Sequence, residues 1–197
     1  LDFWIYIVVL FSSAIPLVFL LKSRGYLFLN SEFGKLISFR FLTDALCFLF
    51  EITIENSNPL FHFTLPINFY LIYNIYSKVY GLKSLKTPLF SIVLGVFCYE
   101  LYKSSILESN QLINVVSYFL ISILGFVIIV KVPFDDYIKN VIFPIVGYYS
   151  ILFFYSIFED QIDNSIFIYD YIFYVFAFTT LSLNLIFSRA IWLKKVI

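Results

Sequence analysis

Seven apolar runs dominate this chain, at roughly 3–21, 35–54, 60–77, 87–102, 112–130, 138–158 and 165–188. Each is about the length that a helix needs to cross the hydrocarbon core of a bilayer. In lipid every backbone amide and carbonyl must find its partner within the protein, so runs of this length are expected to fold as helices. The connections between them are short, which makes consecutive helices antiparallel neighbours. The expected architecture is one all-α domain over residues 1–197, a polytopic bundle of seven transmembrane helices.

Composition agrees with this reading. The chain is 61% hydrophobic and only 13% charged, with a mean hydropathy of +0.93, more apolar surface than a soluble fold of 197 residues hides. Its 26 Phe and 16 Tyr reflect the codon usage of an AT-rich genome before any aromatic function. Because the chain starts at Leu1 and holds no Met, residues are expected to have preceded it. Residues 1–21 lack a basic leader and a small-residue cleavage site, so they read as the first span and not as a signal peptide.

Basic residues give the orientation. Lys22, Arg24 and Lys35, then Lys78, Lys83 and Lys86, then Lys131 and Lys139, and finally Arg189, Lys194 and Lys195 all fall on one side, against Lys103 alone on the other. That side is expected to be the cytoplasm, with the N-terminus outside, the C-terminus inside and the protein in a bacterial inner membrane. The outer loops carry Glu55, Glu108, Glu159, Asp160 and Asp163, a solubilising acidic rim. With a formal charge of zero and no basic patch, nucleic acid is not an expected partner; membrane lipids and a membrane protein partner are.

The second run keeps Arg40, Asp44, Cys47 and Glu51 at steps of four, three and four, which places them on one helix face. Charge is costly in a bilayer, so this face must turn toward protein or trapped water. Asp44, near the middle of the run, is expected either to pair with Arg40 one turn away or to act with Glu51 as a proton-linked relay or ligand contact. The third run adds His62, the single histidine, with Pro66, Tyr70, Tyr73 and Tyr76. Arg40, Asp44, Glu51, His62, Tyr70 and Tyr73 together form the candidate buried polar cluster. In the last run Ala177, Thr180, Asn184 and Ser188 are small or polar at helical spacing, the pattern of a helix-packing seam. Pro66 and Pro144 lie inside runs, where each leaves a carbonyl in need of a partner.

Motif chemistry is sparse. The chain has no glycine-rich phosphate loop, no grouped His and Cys for zinc and no Gly-x-Ser-x-Gly elbow. Cys47 and Cys98 read as free thiols. The seventh run has no lysine in its middle, so retinal is not expected, and neither is any other cofactor, metal or catalytic set.

Short segments carry a resemblance: Phe41-Leu42-Thr43-Asp44, Asn58 through Leu60-Phe61-His62 to Pro66-Ile67-Asn68-Phe69, Phe143 to Phe154 with Gly147, Tyr148 and Tyr149, and Leu183-Asn184 followed by Ala190-Ile191-Trp192. In these the chain resembles a family of small seven-helix integral membrane proteins common in Bacteroidota, to which no activity attaches. The resemblance implies topology and compartment. It also implies an acid at position 44, usually Glu in the family, and an acid where this chain has Asn68.

Three functional expectations follow. The first is a non-enzymatic interaction or sensing subunit of a membrane complex. The second is a small proton-coupled transporter or channel using Asp44 and Glu51, which requires a water-accessible cavity reaching Asp44. The third and weakest is an intramembrane lipid-modifying enzyme built on His62 and the outer carboxylates.

Overall fold

The computed structural model describes residues 2–24, 30–54, 58–103, 111–163 and 166–193. Those residues form seven helices: α1 (Asp2–Arg24), α2 (Glu32–Ile54), α3 (Asn58–Tyr80), α4 (Lys86–Lys103), α5 (Gln111–Lys131), α6 (Phe143–Asp163) and α7 (Ile166–Trp192). A short 3-10 turn at Leu82–Leu85 precedes α4, and a π turn at Ile138–Ile142 leads into α6. The protein is all-helical among the described residues, and four of its helical stretches, Trp4–Lys22, Gln111–Lys131, Ile138–Phe158 and Tyr174–Trp192, are long and apolar enough to cross a membrane. Residues 55–57, Glu108, Lys194 and Lys195 lie outside the described residues, as do the side chains of Arg24, Lys83, Glu159, Asp160 and Asp163.

Helix ends have local chemical causes. The Ser31 hydroxyl accepts the Gly34 N–H at 3.0 Å and caps α2. Gly81, at φ 70, ends α3 in the left-handed conformation that a residue without Cβ adopts freely. The Glu100 carboxylate on α4 accepts the Leu112 N–H at 2.6 Å and so caps the start of α5. Ahead of α6 the Asp135 carboxylate accepts the Ile138 N–H at 2.8 Å. The π turn sits directly before Pro144, which has no N–H to give to the carbonyl four residues back; the Phe143 N–H reaches back to the Ile138 carbonyl instead.

Six helices close a cycle: α1 packs on α2, α2 on α3, α3 on α5, α5 on α6, α6 on α7, and α7 back on α1. α4 lies outside it, against α3 and α5, and buries only Val93 and Glu100. Close packing on lipid-facing helices depends on small and hydrogen-bonding residues. At the α1–α7 contact Asn184 donates to the Ser12 hydroxyl at 2.9 Å, and the Ser188 hydroxyl bonds the Asn184 carbonyl. Between α3, α5 and α6, Gly125 leaves room for the Tyr76 ring and the Val146 methyl, which a Cβ at that position would strike.

Among the described side chains, much of the apolar core lies at one end of the bundle. Leu20, Leu36, Ile37, Ile72, Ile75, Ile128, Ile142, Phe187 and Ile191 are buried there, at the end of α1, the start of α2, and the ends of α3, α5 and α7. The same end carries Glu32, paired with Lys35 at 3.1 Å and with Lys78 at 3.9 Å. Tyr137 lies beside it; burial, with the Asp135 and Glu32 carboxylates adding, pushes its phenol up to about 12. Midway along the helices this dense packing gives way to a cavity.

Candidate functional site: a polar cavity inside the helix cycle

Arg40 sits eight residues into α2 and Asp44 twelve, which at 1.5 Å per residue puts them about 12 and 18 Å above the packed end. Both line a partly open cavity of about 90 Å³. Phe39 and Thr43 complete the α2 wall; Thr64, Leu65 and Asn68 come from α3, Tyr118 from α5, Tyr148, Tyr149 and Leu152 from α6, and Phe176 from α7.

The expected ion pair between Arg40 and Asp44 is not made: no Arg40 nitrogen lies within the 4.0 Å of an Asp44 oxygen that such a pair requires. The two side chains lean apart. The Arg40 guanidinium lies over the Tyr148 ring, 4.8 Å from its centroid, where a cation meets the negative face of the π system, and beside the Tyr149 hydroxyl. Asp44 turns instead toward Ser13 on α1. Asn68 donates its amide N–H to the Tyr149 hydroxyl at 2.5 Å, and the Tyr148 hydroxyl meets that of Thr180 on α7 at 3.3 Å. Four polar atoms of this wall are buried without a hydrogen-bond partner: Arg40 Nε, Thr43 Oγ1, Asp44 Oδ2 and Asn68 Oδ1. Buried polar groups are usually satisfied; others without a partner lie away from this wall, at Ser38, Ser117, Ser122 and Ser156, so what sets the cavity apart is that a guanidinium, a carboxylate and an amide share its lining.

The remaining candidates go elsewhere. Glu51 lies on α2 beyond buried Cys47 and does not line the cavity. His62 is fully buried and faces the Glu100 carboxylate, locking α3 to α4 near the cap of α5. Tyr70, partly exposed, accepts from Lys86 Nζ at 3.1 Å, and buried Tyr73 donates to the Leu82 carbonyl; both serve the α3–α4 connection. The structure therefore brings Arg40 and Asp44 together and spreads Glu51, His62, Tyr70 and Tyr73 along two helices. Ala177, Thr180, Asn184 and Ser188 are all buried, on the face of α7 that meets α1 and the Tyr148 hydroxyl. Among the described residues no group of three or more His, Cys, Asp and Glu is placed to hold a metal ion.

Thr43, Thr64, Asn68, Tyr118, Tyr148 and Tyr149 are the polar cavity residues that periodicity does not single out. Compared with protein-family models, curated proteins and solved structures, the chain matches none.

Proposed function

We propose that this chain crosses a bacterial inner membrane seven times, N-terminus outside, and serves as a sensing subunit that holds a small polar solute in the Arg40–Asp44 cavity and signals to a membrane partner. One observation carries the reading: a cavity midway along the bundle is lined by a guanidinium and a carboxylate that make no ion pair with each other. Binding needs no more than that. A channel would also need a path through the packed end, and the side chains of Leu36, Ile72, Ile75, Ile128 and Ile142 fill it. α4, which stands outside the helix cycle and leaves residues such as Ile92, Leu94, Leu101 and Tyr102 exposed, suits contact with the partner.

The test is purification from native membranes in mild detergent, with and without a panel of small polar solutes. A partner that co-purifies in solute-dependent amounts, and whose response Asp44→Asn abolishes while the bundle stays monodisperse, is the expected result. A lone monomer under all conditions sinks the proposal.

The proton-coupled carrier is the second reading, favoured by the Asp44 carboxylate facing a partly open cavity without a guanidinium partner. Solute accumulation by proteoliposomes under an imposed pH gradient, lost in Asp44→Asn, would select it over sensing.

A further inference from the structure

The chemistry of the cavity wall narrows what it takes. Arginine and aspartate four residues apart on a helix are close enough to pair, and pairing is the cheapest way to keep two charges away from water. Here the Arg40 guanidinium lies over the Tyr148 ring on α6 and Asp44 faces Ser13 on α1. Both residues line the cavity.

The unmet hydrogen-bonding capacity has a definite polarity. Arg40 Nε offers a donor on a cation, Asp44 Oδ2 an acceptor on an anion, and Asn68 Oδ1 a neutral acceptor, with Thr43 Oγ1 able to do either. A lone anion would satisfy Arg40 while facing Asp44, and a lone cation would do the reverse. A molecule with a carboxylate at one end and an ammonium at the other answers both, its carboxylate on the guanidinium and its ammonium between Asp44 and Asn68. The cavity is partly open, with a volume of about 90 Å³, and Phe39, Leu65, Leu152 and Phe176 add an apolar side to its lining.

We infer that the cavity is a binding site for a small zwitterion of the amino-acid type. This rests on the solute-binding reading above and goes beyond it by naming the ligand class. A phosphatidylethanolamine headgroup shares the chemistry, but the cavity lies midway along the helices, well below the level of lipid headgroups.

The experiment uses the full chain in nanodiscs of phosphatidylcholine and phosphatidylglycerol, with radiolabelled glycine read by scintillation proximity. Saturable binding is expected, with acetate and methylammonium unable to displace the label at a hundredfold excess. Asp44→Asn should weaken glycine at least tenfold and let acetate compete, because the ammonium has lost its counter-charge. Asn68→Asp, which keeps the side-chain shape, should let methylammonium compete, and it serves as the informative variant if changes at Asp44 or Arg40 impair folding. Displacement by acetate or methylammonium in the unaltered protein overturns the zwitterion assignment while leaving a solute site. Displacement when phosphatidylethanolamine is added to the nanodiscs overturns it in favour of the headgroup. Failure of the folded protein to retain glycine, acetate or methylammonium removes the zwitterion and the sensing reading together.

Discussion

Gly125 shows how much a single side chain decides in this bundle. The space beyond its α-carbon is taken by the Tyr76 ring and the Val146 methyl, whereas Gly95 and Gly147 have nothing within 4 Å of where a Cβ would stand. Gly125→Ala must push α3 or α6 away or force an off-rotamer tyrosine, a cost of about 1–3 kcal/mol by analogy with overpacked cores. Gly95→Ala should be neutral or slightly stabilising, since alanine is the better helix former. Thermal unfolding in detergent by intrinsic fluorescence compares the two directly; equal midpoints would mean that this helix junction yields without cost to an added methyl. At the same scale, the sequence disclosed Arg40 and Asp44 because charge at helical spacing inside an apolar run is too costly to leave facing lipid. It left Tyr118, Tyr148 and Tyr149 hidden. In a chain with 16 Tyr, tyrosine in an apolar run suits a core, a lipid-facing surface or a site equally well, and only packing selects among them.

Among the elements, α4 and α5 depend on one carboxylate. Glu100 is buried, accepts the first free amide of α5 at Leu112, and faces His62 of α3, so it ties three helices at one point. Glu100→Ala should orphan that amide and lower stability by about 1–2 kcal/mol, the range of a lost helix cap, whereas Glu100→Gln keeps an acceptor oxygen and should cost less. Thermal unfolding of the two variants in one detergent measures the difference, and a Gln variant as unstable as the Ala variant would assign the effect to charge and not to capping. The existence of all seven helices was legible from the length of the apolar runs. Apart from the polar face of α2 and the small-residue seam of α7, their inward faces were not, because a helix apolar on every side carries no stripe to say which side meets protein. The polar face read along α3 illustrates this: from His62 to Tyr73 the helix rises about 16 Å, too far for one site, so its ends serve the α5 cap and the Leu82 turn separately.

For the molecule as a whole, the dense end and the cavity above it define a direction. The dense end holds Glu32 with Lys35 and Lys78, and the basic loops cluster on that side of the sequence. If it faces the cytoplasm, green fluorescent protein joined after Ile197 should fluoresce, and alkaline phosphatase at the same site should be inactive. A fusion in the 104–110 connection should give the opposite pair. Matching signals at both sites would refute seven crossings.

The bond between Asn184 and Ser12 joins residues 172 positions apart, and it sits on the contact that completes the helix cycle. The contact that shuts the ring of helices therefore needs residues from both ends of the described fold, and a chain halted before position 184 lacks the side chain that reaches Ser12.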